Sequence, residues 1–187
     1  GESAASMLER LAHLLQAHNA SVVRHEVFGA LAAQPEFAFA QQKLFGEQAW
    51  PVTWVEGASC AGSSLAGMHV LAVAGTRVES LSAGGRVVGR IFNDGHARHC
   101  LLGDLRPTDP RASRDQQAME VFENIEAALR HAGMSMVNVA RTWLFLDELL
   151  AWYGPLNRVR REFFERCHLF EHTVPASTGV GVKNPTG

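Results

Sequence analysis

The sequence predicts an α+β fold: a mainly antiparallel sheet with helices packed on one of its faces. Two observations carry this expectation. The order helix, strand, helix, strand occurs twice along the chain, and the stretch between the copies reads as hairpin strands broken by turns. A third observation removes the main competitor, because a doubly wound nucleotide fold would carry a GxGxxG or GxxxxGKS/T run and none is present.

The elements follow in order. A first helix is expected from Ser6, with Glu9 completing a capping box, Leu8, Leu11, Leu14 and Leu15 forming its apolar face and Asn19 stopping it. Ser21–Phe28 (SVVRHEVF) is rich in the β-branched and aromatic residues that strands favour. PEFAFAQQKLFG from Pro35 reads as a helix with proline in its first turn, and PVTWVEGASC from Pro51 as a strand. Met68–Ala74 closes the first copy, and turns at Ala83-Gly84-Gly85 and Asn93-Asp94-Gly95 mark hairpins that open the second. The next helix begins at Ser113 with Gln116 as its capping box. Ala118, Val121, Phe122, Ile125, Ala128, Leu129 and Ala132 recur at helical spacing until Gly133. NVARTWLFL (Asn138–Leu146), PLNRVRREFFERC from Pro155 and PASTGVGV from Pro175 then repeat strand, helix and strand. The offset between copies drifts from about 107 to about 124 residues, which divides the chain into a partial copy over residues 1–75 and a fuller one over 76–187.

Composition narrows the function classes. A chain of 187 residues with 47% hydrophobic and 19% charged residues is an ordinary globular one. A net charge of -2 argues against nucleic acid or an anionic membrane surface as partner, and no apolar run reaches the ~20 residues of a membrane span. The one basic run, Arg158, Arg160 and Arg161, reads as a solvated helix face. Three cysteines (Cys60, Cys100, Cys167) without CxxC spacing fit reduced thiols and a cytoplasmic setting. His96 and His99 in GHARHC would point to opposite faces of a strand, and Cys167, His168 and His172 sit at a helix end. Neither set is expected to hold a metal, and no cofactor is expected. Ser59 and Ser177 lack a GxSxG setting, and Trp143 reads as core because its strand is apolar. Tyr153, the single tyrosine, stands at a helix entry as a candidate ligand contact; Asn157 is open between a helix-capping and a pocket role.

Within this frame, Gly103–Thr178 (GDLRPTDPRASRDQQAMEVFENIEAALRHAGMSMVNVARTWLFLDELLAWYGPLNRVRREFFERCHLFEHTVPAST) resembles the RidA/YjgF family. The family pattern is a Gly-polar turn, a Gln-rich helix ending in Ala-Gly, a strand, a helix with an aromatic and an Asn, and a Pro-Ala-Arg-Ser/Thr strand. The likeness covers residues 76–187 well and 1–75 as a degenerate partial repeat. It implies chorismate-mutase-like domains that assemble as a homo-oligomer, a trimer or trimer-like ring, with a small-molecule metabolite bound in clefts between domains.

Carried over residue by residue, the resemblance implies substrate-binding roles for Gly103, Tyr153, Asn157, Ser177 and Thr178, with Asp104 where the family often has Gln and Gly179 where it often has Cys. It assigns no catalytic residue. Ser177 stands where the family's carboxylate-gripping arginine falls, and one neutral hydroxyl replaces a planar, permanently charged fork. Arg106 and Arg141 are the candidates to supply that guanidinium. In the first copy Thr53 stands opposite Ser177 and Phe37 opposite Asn157. The implied function is binding of a small anionic metabolite, with hydrolysis of an imine or enamine as the implied reaction. Two alternatives stand beside it. Arg141–Trp143 and the Pro-Ala-led strand are also similar to chorismatases, which cleave an enol ether, and the missing arginine favours binding or assembly without catalysis. A ribonuclease role ranks below these, since no aromatic–basic interleave is present. The second copy ends at NPTG without the strand that follows in the first, so the natural chain is expected to continue past Gly187.

Overall fold

The computed structural model describes residues 2–46, 50–60 and 62–186; Gly187 lies outside them. The chain forms two compact units, Gly1–Asp104 and Leu105–Gly187.

The first unit opens with α1 (Ala4–His18), β1 (Ala20–Gly29), α2 (Gln34–Phe45) and β2 (Thr53–Glu56). It continues through β3 (Leu65–Ala74), β4 (Val78–Ala83), β5 (Arg86–Asn93) and β6 (Arg98–Leu102). Asn19 ends α1 in the left-handed region (φ 46°), the role its side chain tolerates. The N-cap, however, is Ser3, whose side chain accepts from the Ser6 amide; Ser6 lies inside the helix. That corrects the expected start, because a Ser one turn upstream fits the cap equally well. Pro35 occupies the first turn of α2 as expected.

Two three-stranded sheets result, ordered β2-β1-β3 and β4-β5-β6. β1 pairs with β2 in parallel and with β3 antiparallel, and both hairpin pairings in the second sheet are antiparallel. Gly84 and Gly85 take positive φ (56° and 75°) in the β4–β5 turn, a hairpin geometry that side chains resist. One face of β2-β1-β3 presents Val27, Trp54 and Leu65 to Leu8, Leu11 and Phe37 of the two helices in a buried cluster. The helices thus pack on one face, and the other remains available for polar groups. Arg90 of β5, almost wholly buried, donates from Nε to the Val22 carbonyl at 3.2 Å and ties the two sheets of this unit together.

The second unit contains α3 (Arg114–His131), β7 (Arg141–Leu146), α4 (Leu149–Arg166) and β8 (Ala176–Gly181). Ser113 and Gln116 form the expected capping box of α3. Phe122 of α3 stacks on Phe163 of α4 with ring centroids 5.3 Å apart, in a core with Leu156, Val159, Phe164 and Leu169. α4 is broken at Trp152 (φ -136°), so its regular part runs from Tyr153 with Pro155 in the first turn, close to the start read from the sequence. β7 and β8 pair in parallel, Thr142 opposite Ser177 and Trp143 opposite Thr178. Each unit therefore contains helix, strand, helix, strand with the two strands parallel. The basic run on α4 is solvated and ion-paired, with Arg158 on Asp115 and Arg161 on Glu165.

Candidate functional site

The two-stranded ribbon β7–β8 brings together most of the chemistry in the second unit. Successive side chains alternate between its faces. Thr142 points to the buried side, where its hydroxyl donates to Ser177 Oγ at 3.0 Å. Arg141 and Trp143 point to the open side with Thr178. There the Arg141 guanidinium lies 4.9 Å from the centre of the Trp143 ring and donates to Thr178 Oγ1 at 3.1 Å. Stacking on the indole fixes the plane of the guanidinium, and one hydrogen bond fixes its rotation.

Trp143 is 45% exposed, which corrects its reading as a core residue. The apolar string TWLFL suggests burial on both faces, whereas this short ribbon buries one. Among the residues that the sequence singled out, Ser177 and Thr178 are neighbours on β8, one facing each side of the ribbon. Gly179 and Gly181 lie against Leu149 of α4, and a Cβ built on Gly179 would stand 3.3 Å from Leu149 Cδ2. That contact seats the start of α4 on β8. Farther along the helix, Tyr153 is 52% exposed, and Asn157 lies one turn beyond it. The Asn157 Oδ1 atom is buried and makes no hydrogen bond among the described residues, so it neither caps the helix nor accepts a neighbouring donor. Arg106 precedes α3, where its carbonyl accepts from Asn124 Nδ2 at 3.3 Å.

Gly103 belongs to the first unit. Its amide donates to the Val88 carbonyl at 3.0 Å, and the Asp104 amide donates to Thr53 Oγ1 at 3.1 Å. Both backbone amides are thus engaged within the unit. A Cβ at Gly103 would meet Thr53 Oγ1 at 3.3 Å and Pro51 Cγ at 3.4 Å, so glycine serves close packing here.

Among the described residues no group of three or more His, Cys, Asp or Glu side chains is placed to hold a metal ion. His99 instead contacts Asp94 at 2.8 Å across the β5–β6 turn and stacks on Phe92. The Asp94 carboxyl is lowered to about 2 by the Ala97 and His96 amides and by His99. Burial raises the Cys100 and Cys167 thiols, which keeps both in the unreactive protonated form. No described helix is long and apolar enough to cross a membrane.

No family model and no curated protein matches the chain. Solved structures do. E. coli TdcF with bound serine matches at 23% identity over 54% of this chain and 77% of its own, with a TM-score of 0.43. Rv2704 of Mycobacterium tuberculosis, a member of the YjgF/YER057c/UK114 family, matches at 18% over 57% and 85%, also at 0.43. The YjgF gene product of E. coli matches at 21% over 55% and 79%, again at 0.43. The chain resembles the RidA/YjgF family. These likenesses leave more than a third of this chain uncovered.

Proposed function

We propose that the second unit binds a small anionic metabolite on the open face of β7–β8, with Arg141 supplying the guanidinium that Ser177 lacks. The observation that supports this reading is the position of Arg141, stacked on Trp143 and bonded to Thr178 Oγ1 at 3.1 Å. A carboxylate arriving beside Thr178 meets a pre-oriented planar donor and a hydroxyl, and Trp143 offers an apolar wall. In this reading Tyr153 and Arg106 are further candidate contacts, whereas Ser177 faces the other side of the ribbon and the buried Asn157 Oδ1, an acceptor, does not hold an anion.

Binding without chemistry is the form of the proposal that the hydrogen bonds favour. Among the described residues no carboxylate or imidazole is bonded to Thr142, Ser177 or Thr178, so no general base adjoins these hydroxyls. Hydrolysis of an imine, enamine or enol ether in this unit needs a base from elsewhere, such as a neighbouring copy in a ring. A thermal-shift screen of small carboxylic acids followed by calorimetry tests the reading. Arg141→Ala is expected to weaken a hit by roughly 10- to 100-fold, the range of a charge-assisted hydrogen bond. Arg141→Lys keeps the charge but loses the stacked fork, and is expected to fall between. Unchanged affinity in Arg141→Ala overturns the site. Pyruvate release from 2-aminoacrylate or from chorismate overturns the non-catalytic form alone.

A further inference from the structure

The face of β2-β1-β3 that the helices leave open carries a second group of chemically capable side chains, and none of them belongs to the site on β7–β8. Register places Thr53, Glu26 and His69 in one row across the three strands, with Arg24 two residues before Glu26 on β1. Glu26 is buried, its side chain 8% exposed, and its two oxygens are both engaged. Oε1 lies 2.9 Å from Arg24 Nε, and Oε2 lies 2.8 Å from His69 Nδ1. Arg24 neutralises the carboxylate, so its charge does not require the histidine. His69 is the exposed end of the row, its side chain 58% exposed, and its Nε2 makes no hydrogen bond among the described residues.

We propose that Glu26 and His69 form a general-base site on the first unit, acting on water for the hydrolysis of small uncharged acyl esters. Glu26 can only accept, and at 2.8 Å it outweighs Arg24 Nη2, 3.4 Å from the same nitrogen, so Nδ1 carries the proton, Nε2 keeps the lone pair, and the buried acceptor holds the ring at one orientation. His69 Nε2 takes a proton from water as the water oxygen bonds to the acyl carbon. The proton is then returned to the departing alkoxide or aryloxide, so that ester and water become acid and alcohol. Arg24 and Glu26 cancel in charge, so nothing in the row selects an anion. Leu71, two residues from His69 on the same face of β3, is 42% exposed and offers an apolar seat for the acyl or aryl group. Arg24 and Glu26 are positioning residues, since they act through the imidazole.

p-Nitrophenyl acetate with the full chain tests this. The expected rate per protein exceeds that of equimolar free imidazole at least tenfold, a threshold below the roughly 100- to 10,000-fold that positioned acid–base groups contribute. It is expected to fall to background in His69→Gln, a surface change that leaves the fold intact, and to stay unchanged in His96→Gln, a control on an exposed turn. Glu26→Gln is expected to lower the rate while thermal melting confirms the fold. A solvent deuterium effect well above unity separates base catalysis from acyl transfer to the ring. A wild-type rate no greater than free imidazole, full activity in His69→Gln, or no isotope effect overturns the proposal. The outcome is independent of Arg141, so this site and the binding site on β7–β8 stand or fall separately.

Discussion

At the scale of single residues, the two sides of β1 show how one strand serves opposite purposes. Glu26 faces the open side in ion pairs, whereas His25 next to it is 1% exposed on the helix side. Trp50 Nε1 donates to His25 Nδ1 at 3.1 Å, and Phe37 meets the ring edge-on at 5.8 Å. Burial, with His69 adding a smaller repulsion, lowers His25 from 6.5 to about 4. The folded chain therefore resists a proton that the unfolded chain accepts. Stability is full above pH 6.5, declines as pH drops below 6.5, and has lost the increment by about pH 4. The increment is about 3 kcal/mol. Urea unfolding at several pH values should show this slope in the wild type. His25→Phe should flatten it while costing about 1–3 kcal/mol at pH 7, because the buried Trp50 N–H loses its acceptor. An equally steep slope in the variant would assign the titration elsewhere.

Elements depend on local signals, and these were legible. The capping box at Ser113, the left-handed stop at Asn19 and the glycine pair at 84–85 each act through neighbours a few residues away, so spacing alone exposes them. Ser113→Ala is expected to cost about 1 kcal/mol in chemical denaturation, since the Gln116 amide loses its acceptor at the start of α3. At α1 the loss should come from Ser3→Ala and be smaller in Ser6→Ala, because Ser3 Oγ caps the Ser6 amide. A larger loss in Ser6→Ala would return the helix start to the position that the sequence suggests. Pairing between distant strands was not legible. Glu26 meets His69 across 43 positions, and nothing near either residue announces the other. Arg141 could be named as a substitute guanidinium but not placed, because its contact with Thr178 depends on the parallel register of β7 and β8. Trp143 misled for the same reason: an apolar string does not say whether one face of its strand or both will be covered.

At the scale of the whole molecule, each compact unit contains helix, strand, helix, strand with those two strands parallel. The proposal of repeats over residues 1–75 and 76–187 rests on the drifting offset between the copies in the sequence. In the first unit β1 has strands on both edges, β2 and β3, whereas among the described residues β7 pairs with β8 alone. Large apolar side chains also stay in solvent: Leu150 is 91% exposed, Phe39 70% and Phe170 55%. Scattered apolar residues are normal on a monomer, but an unpaired strand edge together with an exposed Trp143 is more than monomers usually leave open. We propose that the chain associates with itself, in the trimer or trimer-like ring that the family resemblance implies. Sedimentation at micromolar concentration should then return three times the 20.4 kDa chain mass. Leu150→Glu changes a side chain that is 91% exposed, so the fold should lose less than about 0.5 kcal/mol while association weakens. A mass of one chain at every concentration would remove the ring, and with it any base that a neighbouring copy could bring to Ser177.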